Sequence, residues 1–236
     1  ITKLHATPKK LQDVPHATPY QATQTPTNEV LMAPFDAKNI YFRMYHNEGR
    51  PFNLADAGKI SVFNEYFGGG MNSIVFQEMR EARGLAYSAG AVYTRPSKKS
   101  DKESFFANII TQNDKMGDCI SEFHNILDTI PQSEAAFNIA KDAVIKRLAS
   151  QRVTKSSVID RYFSMRKLGF DYDINETIYK DVQRVTLQDI VNFEKSQAAG
   201  KPYRYMILGN DKELDMKVLE RIAPVKKLTL EDIFGY

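Results

Sequence analysis

Apolar and polar positions follow two rhythms along this chain. The runs EVLMAPF (29–35) and NIYFRMYH (39–46), separated by Asp36 to Lys38, have the content and length of strands. Ile60, Phe63 and Phe67 then recur at helical spacing, as do Val75, Met79 and Ala82, and the three glycines Gly68, Gly69 and Gly70 fall between the two patterns. Beyond Arg83-Gly84 the period shortens to two: Leu85, Tyr87, Ala89, Ala91 and Tyr93 alternate as one strand face would. A polar turn, RPSKKSDK, leads to a second apolar run, ESFFANIITQ, so residues 85–111 predict an antiparallel hairpin.

Helical spacing dominates the rest. Met116, Ile120, Phe123, Leu127 and Ile130 predict a helix ended by Pro131, and Ser133 caps another reaching about Gln151 with Phe137, Ala140, Val144 and Leu148 as its stripe. Further helices are expected at 157–168, stopped by Gly169, at 176–182, and from Thr186, where Asp189 favours the N-terminal end. A strand, YRYMILG, a last helix over 212–222 and a polar tail close the pattern. Helices grouped together predict an α+β fold, a mixed or antiparallel sheet packed on a layer of helices.

Residues 1–28 carry four of the ten prolines and no periodic pattern, so they read as a proline-rich linker or arm ahead of one domain over 29–236. The tetrapeptide His-Ala-Thr-Pro occurs twice there, at His5 and His16, which raises a paired metal site as a reading to test. Composition is 42% hydrophobic and 26% charged, enough for a substantial core. A net charge of +3 is too balanced to argue for nucleic acid or an anionic membrane as partner, and no stretch approaches the roughly 18 apolar residues of a membrane helix. The lone Cys119 forms no internal disulfide and leaves the compartment undecided.

Candidate chemistry is sparse. Hydrolytic zinc sites need two histidines and an acid at fixed helical spacing, and His5, His16, His46 and His124 contain no such pair, so no metal site is expected in this chain. His124 reads as a structural residue and His46, at a strand end, as solvated. The glycine run lacks the Lys-Ser/Thr of a phosphate loop, Met71-Asn72 standing there instead, and reads as an interhelical turn able to approach another chain's backbone. Arg80 and Tyr87 remain. The turn at Arg83-Gly84 lets both point into one space, where a guanidinium fork and a hydroxyl could grip a carbonyl oxygen. From spacing alone, Arg80 pairing with a neighbouring acid and Tyr87 filling sheet core stand as the plainer alternative.

The run GGGMNSIVFQEMREARGLAYSAGA resembles the non-zinc domains of the pitrilysin/insulinase family of zinc metallopeptidases, which includes the mitochondrial processing peptidase, and VTLQDIVNFEKSQAAGKPYRYMILGND resembles the family's next recurring segment. The similarity spans about residues 29 to 222. It implies an α+β repeat that pairs with a zinc-bearing half, in the same polypeptide or a partner subunit, to enclose a chamber for unfolded peptides. Arg80 and Tyr87 match an Arg and a Tyr that hold substrate near the scissile bond and help stabilise developing negative charge, while Gly68, Gly69 and Gly70 are the candidate peptide-contacting backbone, and the working part if the chain is catalytically silent. The H-x-x-E-H zinc motif is absent, so the resemblance implies no cofactor in this chain, zinc in the partner domain and no hydrolysis by this chain alone. A catalytically silent substrate-presenting or scaffold subunit of the same fold is the competing expectation.

Overall fold

A computed structural model describes residues 12, 13, 15, 16 and 22–235. The pairing of His5 with His16 turns on His5, which lies outside the described residues, as does most of the proline-rich arm. Its last part lies along the domain: the Thr25 amide donates to Asn47 O at 2.8 Å, its side chain is buried, and Tyr45 Oη donates to Thr23 O at 3.0 Å.

Six strands form one mixed sheet: β1 (Glu29–Pro34), β2 (Asn39–His46), β3 (Ser88–Thr94), β4 (Ser104–Gln112), β5 (Arg204–Gly209) and β6 (Val225–Lys227). Their order is β3-β4-β2-β5-β1-β6, with β1 parallel to β5 and β6 and the other pairings antiparallel. Helices α1 (Ala57–Phe67), α2 (Ile74–Phe76), α3 (Met116–Asp128), α4 (Glu134–Ser150), α5 (Val158–Leu168), α6 (Asn175–Val182) and α7 (Leu187–Gln197) follow the sequence pattern closely, and α7 carries a capping box between Thr186 and Asp189.

The strand alternation sends Met32, Phe42, Met44, Phe105, Ile109 and Ile207 to a face covered by helices, while Tyr41, Val92 and Leu208 on the other face remain exposed. Helix α1 is the centre of the helical layer. Phe67 stands 6.3 Å from the Phe105 ring of the sheet and 6.5 Å from Phe123 of α3, and Phe63 stacks on it at 5.1 Å. Tyr66 Oη donates to Pro131 O at 2.7 Å and accepts from Ser133 N at 3.0 Å, tying α1 to the start of α4.

Three sequence expectations change. The helix expected at 212–222 shrinks to α8 (Met216–Glu220), because Asp215 caps it by accepting from Lys217 N. The tail holds β6 and a short α9 (Leu230–Phe234) with its own Thr229–Asp232 capping box. One apolar residue, Val225, was too little pattern to announce β6; the free edge of β1 supplies the pairing. His46 is buried rather than solvated. It ends a strand inside the sheet, with Nδ1 2.7 Å from Pro202 O, and burial lowers its pKa.

Candidate substrate-positioning site

The site grows from a change of helical pitch. Ser73 caps α2, its hydroxyl accepting from Phe76 N, and after one turn the helix widens to a π-helical stretch over Gln77–Ala82. The Leu85 and Ala86 amides both donate back to the carbonyl of the buried Met79, at 2.8 and 3.1 Å. Gly84 makes this reversal with φ +58°, a backbone state that disfavours a side chain. From the far side, Thr111 Oγ1 donates to Leu85 O at 2.6 Å and Lys115 Nζ to Gly84 O at 3.0 Å, while Tyr87 N pairs with Ile110 O. Arg83 Nε is 2.9 Å from Glu122 of α3, which fixes the end of the π-helical stretch against that helix.

This scaffold brings Arg80 and Tyr87 together. The Arg80 guanidinium carbon lies 5.5 Å from the Tyr87 ring centroid and 5.1 Å from that of Phe76, so the group is flanked by two aromatic faces. Phe76 was not singled out from sequence, although its spacing of four from Arg80 on a helix is a readable signal. The acid beside Arg80, Glu81, is 3.8 Å away and itself exposed, so the guanidinium is not engaged in a close ion pair. Tyr87 is 72% exposed and its hydroxyl has no partner among the described residues, so it is not sheet core. The alternating stripe predicted from Leu85 holds only from Ala89; before Tyr87 the two hydrogen bonds from the Leu85 and Ala86 amides to Met79 O have already turned the chain.

The three glycines do different things. Gly68 N–H closes α1 on Asn64 O, and Gly68 O accepts from Ala91 N at 3.2 Å, so α1 packs directly on the backbone of β3. The backbone approached here is this chain's own. Asn64 completes the contact, donating to Tyr93 O at 2.9 Å and accepting from Tyr93 N at 2.7 Å. A Cβ on Gly69 would meet Asn64 O at 2.5 Å, whereas one on Gly70 would meet nothing within 4 Å.

None of this is a metal centre. No group of three or more His, Cys, Asp or Glu among the described residues is placed to hold an ion, and His124 Nε2 is occupied by Tyr205 Oη at 2.9 Å. Cys119 is buried beneath Leu85 O, and burial pushes its thiol up to about 11, so it is unreactive.

Residues 4–144, which include the glycines, Arg80 and Tyr87, match the family described as the peptidase M16 inactive domain. The chain belongs to the peptidase M16 family, as its inactive, C-terminal domain. In M16 peptidases the zinc belongs to the partner half rather than to the inactive domain. Among curated relatives, uncharacterised zinc proteases of Mycobacterium tuberculosis and Mycobacterium bovis are 27% identical over 154 residues, covering 64% of this chain and 34% of theirs. The M16 inactive domain structure from Pseudomonas fluorescens superposes with a TM-score of 0.67 at 15% identity, over 83% of this chain and 46% of that one. The Escherichia coli periplasmic protease PqqL gives 0.64 at 14% identity, over 86% and 22%. This M16 domain therefore spans about a third of the curated relatives it matches.

No helix among the described residues is long and apolar enough to cross a membrane.

Proposed function

We propose that this domain closes the chamber of an M16 zinc peptidase and positions an unfolded peptide for cleavage by the zinc-bearing half, with Arg80 and Tyr87 as the residues that hold the peptide at the scissile bond. The observation that carries the reading is the flanked guanidinium. An arginine on an exposed helix end ordinarily samples many rotamers, and ordering it on substrate costs side-chain entropy. Between Phe76 and Tyr87 that ordering is done in advance, and the donors that remain face solvent beside a free tyrosine hydroxyl. As a peptide carbonyl is attacked, its oxygen gains negative charge. A fixed cation and a hydroxyl donor stabilise that charge more than they stabilise the neutral carbonyl, which is the condition for lowering the barrier. The zinc-bearing half supplies the hydrolytic chemistry.

The test is cleavage of an unfolded peptide by this chain alone, by the remainder of its protein and by the two mixed, with and without chelator. Cleavage confined to the mixture and abolished by chelator supports the reading. Equal cleavage by the remainder alone contradicts it.

A second reading, a silent subunit that only presents peptide or scaffolds a partner, draws on the exposed Gly70, beside which backbone can pass without a clash. Peptide binding that survives loss of Arg80 and Tyr87 but fails in Gly70→Trp favours it. Gly69 is unsuited to this test, since any side chain there strikes Asn64.

A further inference from the structure

The face of Tyr87 that Arg80 approaches is only one boundary of the ring. Tyr87 also lines a cleft of about 310 Å³, whose other walls are Gly84, Leu85 and Ala86 of the turn, Thr111 and Gln112 of β4, Asn39 at the start of β2, and Lys115. No carboxylate lines this cleft. Its charged group is the Lys115 ammonium, which donates to Gly84 O at 3.0 Å and forms no ion pair among the described residues. The carboxylates nearest in sequence, Asp114 and Asp118, line a separate cleft with Glu213 and Asp215. The Asn39 and Gln112 amides add neutral donors, and Leu85, Ala86 and the Tyr87 ring supply apolar wall.

We infer that this cleft is a specificity subsite that accepts an acidic side chain of the peptide held at Arg80 and Tyr87, with Lys115 as the residue that selects it. The inference rests on the proposed positioning role. A peptide gripped at Arg80 and Tyr87 can deliver a neighbouring residue to the cleft that Tyr87 also lines, and the charged group found there is an ammonium with unused donors. Lysine is a compact point charge, so it selects charge rather than planar geometry, and both Asp and Glu fit the requirement. A basic peptide side chain would meet like charge with no acid to offset it.

The experiment uses the complete zinc protease and peptides identical except for Glu, Gln or Lys, scanned through the positions flanking the scissile bond. At one or two positions the Glu peptide is expected to exceed the Gln peptide by about 5-fold in kcat/KM, the upper end for a solvent-facing ion pair. Lys115→Arg keeps the preference, Lys115→Met removes it and Lys115→Glu reverses it toward the Lys peptide. Raising salt toward 1 M flattens the wild-type preference. If Lys115→Glu leaves the Glu-to-Lys ratio unchanged at every position while Arg80→Ala still lowers cleavage, the subsite inference is wrong and the positioning role stands. If Arg80→Ala and Tyr87→Phe change nothing, the positioning role is wrong, and the Lys115 ratio still decides on the cleft. Should the complete protein not cleave, the same panel is read by fluorescence anisotropy of labelled peptides, with the same reversal required.

Discussion

Replacing Gly68 with alanine separates the structural from the functional part of the glycine run. A Cβ at this position would overlap the Ala91 amide nitrogen and carbonyl oxygen and lie 2.7 Å from its Cα. All three are backbone atoms of a strand paired to β4, so no flexible side chain can yield. Overpacking of this kind costs about 1–3 kcal/mol, and losing the Ala91 N to Gly68 O bond adds about 1 kcal/mol. For a domain of this size that is a fall in Tm of about 5–15 °C. Because β3 begins at Ser88, immediately after Tyr87, displacing it also moves Tyr87 relative to Arg80, so kcat/KM of the assembled protease falls with stability. Gly70→Ala, with nothing within 4 Å of the new atom, is expected to stay within about 0.5 kcal/mol of the parent. Thermal unfolding of the two variants by circular dichroism, beside their cleavage rates, checks both statements. A Gly68→Ala domain as stable as the parent would refute the argument that α1 packs on the β3 backbone without room for a side chain.

Other outcomes follow from neighbouring geometry. Arg80→Lys keeps the charge but loses the planar group flanked by Phe76 and Tyr87; cleavage should fall at least 10-fold while unfolding shifts by no more than about 1–2 kcal/mol, the worth of two exposed cation–π contacts. Equal losses in Arg80→Lys and Arg80→Met would show that charge alone is insufficient. Glu194 is fully buried with neither carboxylate oxygen bonded, and burial, aided by Asp128, pushes its pKa up to about 7 from 4.5. The folded state thus binds this proton more tightly than the unfolded state. Its contribution is complete below pH 4.5 and is lost as pH rises through 7, about 3 kcal/mol in all. Urea unfolding of Glu194→Gln should lack that decline between pH 5 and 8; an unchanged pH profile would remove Glu194 as its source. His46 has the opposite sign: burial lowers its pKa below 6.5, so stability is lost as pH falls below 6.5. That loss is expected to be absent in His46→Gln, and its persistence there would assign it elsewhere.

The elements that the sequence made legible are those with enough residues to show a period. Helices α3, α4 and α7 announced themselves through apolar spacing and through Ser133 and Thr186 as caps, and the hairpin through two apolar runs around a polar turn. Short elements had no such signal: β6 holds three residues and is made by the edge it joins rather than by its own sequence. Within the site, the proximity of Arg80 and Tyr87 was legible because both lie within one continuous segment whose turn is marked by Gly84, whereas a role for the pair came only from the family resemblance. The burial of His46 was not, since it depends on Pro202, far along the chain, closing over a strand end. Lys115 and Asn64 were missed for the same reason: each acts on a segment distant in sequence, Lys115 on the Gly84 carbonyl and Asn64 on the Tyr93 backbone. The π-helical widening at Gln77–Ala82 also left no trace in the apolar spacing, because Met79 is buried in either kind of helix.

The central claim is that Arg80 and Tyr87 act as one unit on the peptide carbonyl, and a double-mutant cycle in the complete protease tests it most directly. With kcat/KM measured for the parent, Arg80→Ala, Tyr87→Phe and the double variant, each single change is predicted to cost about 100-fold to 1,000-fold. The double change should cost little more than the worse single one, because the two groups share one oxygen. Full activity in both single variants, with peptide binding intact, would contradict the account.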